Sequence, residues 1–342
     1  MSLLAPAAAA VSTATAGGLV AAGAAPVARF VAAGVALAAL AAVVGQSIGR
    51  VGERLGPGPT GLLQSTLGNL PELFVGIFAL REGLTTVVRA ALVGSVLANA
   101  VLVLGVAFVA GGLRHGNQKF DAEVPRLHSS LLLLVVAALL VPTLASRLET
   151  PAAAHTGALS DFVSVVLLVV YALSVPYNLR HGAPADQAPS TRLGPAVLML
   201  VLASAGAALA SDWFVAPLEA ATRSLGVSQA FTGLVIVAVA SNAVENAAGI
   251  RFALGARADY AISTTLSSPL QVALLLTPVL VLASKAIGPS HLTLVFPPLL
   301  VAALAISTVV VTVVIYDGEY TWIEGVALVG LYCILAASFW WG

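Results

Sequence analysis

Charge is what this sequence has least of. Only 9% of its 342 residues are Asp, Glu, Lys or Arg, with fifteen of each sign, and a soluble chain of this length needs far more at its surface. Cysteine is nearly absent too: Cys333 stands alone, which excludes a disulfide within the chain and leaves a cysteine-based metal site without ligands. The five histidines, at 115, 128, 155, 181 and 291, fall in expected loops or at span edges, so a histidine metal site has little support. No basic run suggests nucleic acid, and no long polar stretch is available for a separate soluble domain. The chain has no HExxH, no protease-like pair of aspartates and no Ser/His pairing within its apolar segments, which argues against an intramembrane hydrolase.

What is present is apolar sequence. Residues of the apolar classes make up 59% of the chain, and they come in runs near the ~20 residues that cross a bilayer as a helix. The expectation is an all-α polytopic membrane protein with about eleven transmembrane helices, and the lipid bilayer as its first partner. Spans are expected near 3–25, 27–49, 60–80, 88–112, 128–146, 160–178, 193–211, 229–250, 259–284, 291–315 and 321–341. Residues 1–26 would be an extra N-terminal helix or a leader, 27–178 and 193–342 two halves of five helices each, and 179–192 a cytoplasmic linker. Nine Lys and Arg on one side of this arrangement against six on the other put the N-terminus in the cytoplasm. Trp322, Trp340 and Trp341 sit where an interfacial aromatic belt would be, and Asp161, Asp212, Asp317 and Glu324 near span ends in reach of water.

Two stretches break the apolar pattern in the same way. Gly68-Asn69-Leu70-Pro71-Glu72 and Ser241-Asn242-Ala243-Val244-Glu245 each set an amide three residues before a carboxylate, so that both project from one helix face. A carboxylate at membrane depth is costly and is read by default as lining a cavity or an ion path. The two glutamates are 173 positions apart (245 less 72), and Ser95 and Ser268 each follow their glutamate by 23 residues. Asn99 and Gln271 come about one turn later, and Thr60-Gly61-Leu62 and Thr232-Gly233-Leu234 open the two motif spans. The motif spans are the third and the eighth, an odd offset of five, so they would enter the membrane from opposite sides, an inverted-topology repeat of the kind that holds ion sites at the midplane of secondary transporters. The repeat motifs cover 60–112 and 229–284.

The side chains these motifs bring are oxygen donors. A hard divalent cation such as Ca²⁺ takes ~6–8 oxygen ligands. Glu72 and Glu245 would carry the charge, while Asn69, Asn242, Ser95, Asn99, Ser268 and Gln271 would add neutral oxygens or orient the carboxylates. Pro71 and Pro269, read as prolines inside helices, would free the carbonyls of Leu67 and Thr265. Two facing carboxylates in a low dielectric cannot both stay ionised without a cation, so the same pair can hold a divalent ion or protons but not both fully. That competition suffices for antiport. Transported Ca²⁺ and H⁺ would be the substrates, and no cofactor is expected.

Residues 60 to 113, TGLLQSTLGNLPELFVGIFALREGLTTVVRAALVGSVLANAVLVLGVAFVAGGL, resemble the first α-repeat of the Ca²⁺/H⁺ exchangers of the cation/Ca²⁺ exchanger superfamily. The stretch SNAVENAAGIRFALGARADYAISTTLSSPLQVALLLTPVLVL is similar to the second repeat, and DGEYTWIEG before the last span is also familiar from that family. The resemblance implies a prokaryotic plasma-membrane antiporter working by alternating access, with Glu72 and Glu245 as metal ligands. In that family the second motif usually reads GNAAEH; here Ser241 replaces the Gly and Asn246 the His, removing a group that titrates near neutral pH. The acidic stretch that relatives carry between spans six and seven is missing from LRHGAPADQAPSTR, and Pro269 stands where an aliphatic residue is usual. These departures keep two alternatives open: a Na⁺-coupled exchanger or Na⁺/H⁺ antiporter on the same fold, and a scaffold that has lost transport.

Overall fold

The computed structural model describes residues 4–55, 67–181, 193–289 and 291–341, with the backbone alone described at 49, 52–55, 177–181, 193 and 243–245. It is helical almost throughout. The helices are α1 (Leu4–Ala21), α2 (Pro26–Leu55), α3 (Leu70–Arg81) and α4 (Thr85–His115). They continue with α5 (Glu123–Arg147), α6 (Thr156–His181), α7 (Leu193–Val215) and α8 (Leu218–Leu225). The last five are α9 (Gln229–Ser241) and α11 (Ala258–Ile287), with α10 (Ala243–Leu254) between them, then α12 (Pro298–Val314) and α13 (Trp322–Ser338).

Among the described residues seven helices are long and apolar enough to cross a membrane, eight if the bent pair α8–α9 is one span. Eleven continuous spans were expected, and the difference has local causes. The chain turns by 117° between α8 and α9, where Gly226 takes a left-handed φ of +66°, a conformation open to glycine at no steric cost. The span expected over 60–80 is described only from residue 67, and Thr60-Gly61-Leu62 and the linker 182–192 lie outside the described residues. The span expected over 229–250 is broken after Ser241. Residues 291–297, expected to open a helix, stay extended. In that strap Leu292, Leu294 and Phe296 alternate inward, and the backbone N–H of each is accepted by a hydroxyl from a different helix: Ser284 Oγ at 2.9 Å, Ser160 Oγ at 2.9 Å and Thr143 Oγ1 at 3.1 Å. Helix begins only at Pro298, where a missing N–H costs nothing.

The centre of the molecule is α4, of whose apolar window 83% is buried, against 11% for α1 at the periphery. Two glycines let α4 and α9 approach backbone to backbone. A Cβ on Gly94 would stand 2.2 Å from the Leu234 carbonyl oxygen, and one on Gly233 would stand 2.5 Å from that of Val87. Small residues at a crossing do this in membranes because lipid supplies no hydrophobic force between helices. At one end a two-stranded ribbon, Gln118–Lys119 (β1) against Glu319–Tyr320 (β2), ties the loop after α4 to the start of α13. There Tyr320 stacks on Phe108 with ring centroids 4.0 Å apart, and burial pushes its phenol above the ordinary tyrosine value. A capping box between Thr321 and Glu324 then starts α13, so Glu324, expected to rest in water, has a structural partner.

Candidate cation site

The first polar motif begins with a break in the helix. Gly68 and Asn69 form a turn, and α3 starts at Leu70 with Asn69 as its N-cap at φ −92° and ψ 17°. Pro71 therefore stands in the first turn of α3, where its ring is tolerated; the expectation that it interrupts a continuous helix is corrected here. The second motif breaks at the matching residue without a proline. Asn242 separates α9 from α10 at φ −98° and ψ 15°, within a few degrees of Asn69 in both angles.

The two partner helices share a second irregularity. In α4 the hydrogen-bond ladder widens to a π-helical stretch at Ala98–Val103, three residues after Ser95; in α11 it does so at Val272–Leu276, four residues after Ser268. Pro269 lies inside α11 just before that stretch, where it has no N–H to offer the Thr265 carbonyl. Asn99 sits in the α4 stretch and Gln271 immediately before the α11 one. Such π turns recur at functional sites, since they re-aim side chains within an otherwise regular helix.

These four irregular segments bring the expected residues together. Asn99 Nδ2 donates to Asn242 Oδ1 at 2.7 Å. Asn242 Nδ2 donates to Ser95 Oγ at 2.9 Å, and Ser95 Oγ donates to Glu72 Oε1 at 3.0 Å. The result is a directed chain of donors that ends on a carboxylate oxygen, with each bond polarising the next. Asn99 Nδ2 also approaches Ser268 Oγ at 3.4 Å. On the other side Asn69 Nδ2 donates to Gln271 Oε1 at 2.9 Å. The pairing is reciprocal: the motif asparagine after each helix break bonds to the amide beside the π turn of the other half of the sequence.

All of this is out of water. Asn99 and Asn242 are 0% exposed, Ser95 2%, Ser268 5%, Asn69 6% and Glu72 8%, with Gln271 partly buried. A carboxylate so buried is held by hydrogen bonds or a cation, because its solvation has been given up. Asn99 Oδ1, also buried, has no hydrogen-bond partner among the described residues, which leaves an oxygen free to face a cation. Glu245 lies in the first turn of α10; its side chain is outside the described residues.

A cavity reaches the carboxylate. It is lined by Glu72, Ser95 and Ser241 among aliphatic side chains, and it follows α3 from Glu72 to Ala79 with Val87, Leu276 and Leu280 as its walls. Ser241, noted in the sequence as replacing a motif Gly but not counted as a candidate ligand, has its Oγ 3.4 Å from Asn242 Nδ2. Asn246, which stands in the place of the motif His, lies one turn beyond Asn242, and its Oδ1 is buried and without a partner among the described residues. Ser267, beside Ser268, bonds back to Thr264 O at 3.1 Å. His128, expected at a span edge, is 3% exposed inside α5. Asp161, expected to meet water, binds Lys285 Nζ at 2.5 Å and lies 3.4 Å from His291 Nε2.

Known proteins resemble this chain over most of its length. The model of the family described as sodium/calcium exchanger protein matches residues 25–180 and 195–341. A Ca²⁺/H⁺ antiporter of Synechocystis sp. is 34% identical over 337 residues, covering 91% of this chain and 90% of that one. The Ca²⁺/H⁺ antiporter ChaA of Bacillus subtilis is 31% identical over 324 residues, covering 89% and 90%. The solved structure of native YfkE superposes with a TM-score of 0.86 at 29% identity, over 98% of this chain and 99% of that one.

Proposed function

This chain belongs to the sodium/calcium exchanger protein family, and we propose that it is a secondary antiporter exchanging Ca²⁺ for H⁺, with Glu72 and Glu245 as alternating ligands of metal and protons. The observation that carries the reading is the donor chain from Asn99 through Asn242 and Ser95 to Glu72 Oε1, assembled from both halves of the sequence. The names of the Synechocystis and Bacillus relatives support the choice of ions.

In this reading residues 27–178 and 193–342 form two five-helix repeats of inverted topology, with 1–26 as an added N-terminal helix and 179–192 as a cytoplasmic linker. Support comes from the paired helix breaks at Asn69 and Asn242, the paired π turns of α4 and α11, and the family match to each half. Transport is alternating access about the shared site: the repeats rock while the residues at the break points keep the ion. Glu72 and Glu245 supply the charge, Asn99 Oδ1 and the amide oxygens of the motif supply neutral ligands, and Ser95 orients Glu72. When Ca²⁺ leaves, protons neutralise the carboxylates and return across the membrane on them. The protein works as a transporter rather than an enzyme, in a prokaryotic plasma membrane, with its N-terminus in the cytoplasm.

Asn246 favours one second reading, in which Na⁺ replaces H⁺ as the driving ion. Its buried carbonyl oxygen lacks a partner among the described residues, comes four residues after Asn242, the N-cap of α10, and is a hard neutral ligand suited to Na⁺. Flux into proteoliposomes decides between the two. Ca²⁺ uptake driven by an imposed pH gradient and lost in Glu72→Gln and Glu245→Gln is the expected result. Uptake that needs a Na⁺ gradient selects the second reading, uptake that survives both substitutions removes the carboxylates from the ion path, and silence under every gradient makes the protein a scaffold.

A further inference from the structure

Away from the cation site, α1, α2 and α7 enclose a groove of about 760 Å³, within the ~300–1,000 Å³ range of sites for small ligands. Its lining on α1 is Pro6, Ala9, Ala10, Thr13, Ala14 and Gly17, the i, i+3, i+4 pattern of one helix face. One face of α7, from Pro195 to Trp213, stands opposite, and Leu40 and Val43 of α2 form the floor. The groove is a wedge. It closes where Gly17 rests on the Trp213 ring, 2.9 Å from where a Cβ would stand, and at the far end it extends to Pro6 on α1 and Pro195 on α7. The eleven positions from Pro6 to Gly17 span ~16 Å at 1.5 Å per residue, about one leaflet of a ~30 Å hydrocarbon core.

Two polar atoms mark this otherwise apolar groove. Arg50 lies two residues beyond Ile48, where the apolar part of α2 ends, and its Nη1 is 3.8 Å from the sulfur of Met199, a lining residue. A thioether is a weak acceptor for a guanidinium, and among the described residues no carboxylate pairs with Arg50. Deeper in, the Thr13 hydroxyl is buried with no partner among the described residues. A cation at the headgroup level, a hydroxyl below it and an apolar slot one leaflet deep match the order of groups in a glycerophospholipid: phosphate, ester carbonyl, acyl chain. Basic pockets between transmembrane helices recognise anionic headgroups in this way.

We propose that this groove is a binding site for one anionic glycerophospholipid, its phosphate on Arg50, an ester carbonyl accepting from Thr13 and an acyl chain between α1 and α7. The site is separate from Glu72 and its partners, so it stands whichever ions are exchanged.

The test uses the full chain, purified and delipidated in detergent. Added phosphatidylglycerol is expected to raise the melting temperature by several degrees more than phosphatidylcholine and to stay bound one per chain in native mass spectra. Arg50→Gln removes the preference and Arg50→Lys keeps part of it, while Ala10→Trp, which fills the slot, releases both lipids. Equal stabilisation by the two lipids, a preference that survives Arg50→Gln, or the same shift from glycerol phosphate alone would overturn the proposal. So would a lipid-free oligomer that Ala10→Trp splits into single chains, because the groove would then hold a second copy.

Discussion

Asn99 and Asn242 face each other at the centre of the molecule, the amide of Asn99 donating to the carbonyl oxygen of Asn242 at 2.7 Å. Asn69 and Gln271 make the counterpart bond at 2.9 Å. Each pair ties a helix break in one half of the sequence to a π turn in the other, so the site can form only when both halves are in place.

If the two bonds are symmetric devices, their energetics are alike. Double-mutant cycles on Asn99→Ala with Asn242→Ala, and on Asn69→Ala with Gln271→Ala, are expected to give coupling energies of ~0.6–1.7 kcal/mol each, the range for hydrogen bonds between transmembrane helices. Unfolding in detergent measures both. Strict additivity in either cycle would mean that its bond carries no energy.

Ser95 donates to Glu72 at 3.0 Å, and it also accepts from Asn242. Ser95→Ala removes the bond to the carboxylate and the bond that Ser95 accepts from Asn242, at a cost on the order of 1–3 kcal/mol. The apparent KM for Ca²⁺ is expected to rise about tenfold, equivalent to ~1.4 kcal/mol. Ser268→Ala, whose described contact with the site is the longer one to Asn99, is expected to change it less. Equal KM values for wild type and Ser95→Ala, read in the same vesicles, would remove Ser95 from the site.

Much of this was legible in the sequence because buried polar residues are rare in such a chain. An Asn three before a Glu in an apolar run has few explanations, and the repeat at an offset of 173 identified the pairs Glu72 with Glu245 and Ser95 with Ser268. Apolar runs pointed to most of the described helices, but not to α8 nor to where a helix stops being regular. The break at Asn242 has no proline or glycine to announce it, and the π turn of α4 leaves no compositional trace. The strap over 291–297 was hidden by its own Leu and Phe residues, which read equally well as helix or as alternating extended chain. Arg50, Thr13 and Met199 come from three helices, with Arg50 and Met199 149 positions apart, and no local pattern could have joined them.

The close approach of α4 and α9 makes Gly94 a sharp probe of the scaffold. Its added Cβ would stand 2.2 Å from the Leu234 carbonyl oxygen and 2.5 Å from the Leu234 Cα, both backbone atoms that cannot swing aside as a side-chain end can. Gly94→Ala must push the helices apart one residue away from Ser95, at ~1–3 kcal/mol or more. A melting temperature lowered by several degrees with reduced Ca²⁺ uptake is expected. Gly330→Ala, where nothing lies within 4 Å of the added atom, is the control that stays at the wild-type value. An unshifted melting temperature for Gly94→Ala would show that the crossing is looser than this.

Competition between metal and protons can be read without any flux. A ligand that binds only the folded protein at a hundred times its Kd stabilises it by ~2.7 kcal/mol, so Ca²⁺ is expected to raise the melting temperature and chelation to reverse the shift. Metal ligands must give up their protons to bind. If both Glu72 and Glu245 take up a proton when Ca²⁺ leaves, the apparent Kd rises by up to ~100-fold for each unit that the pH falls through their titration; if only one does, by ~10-fold. Glu72→Gln would reduce both the stabilisation and its steepness in pH. A Ca²⁺ shift of the same size from pH 8 to pH 5.5 would mean that protons do not compete at this site, and the sodium-driven reading with Asn246 as an oxygen ligand would take its place.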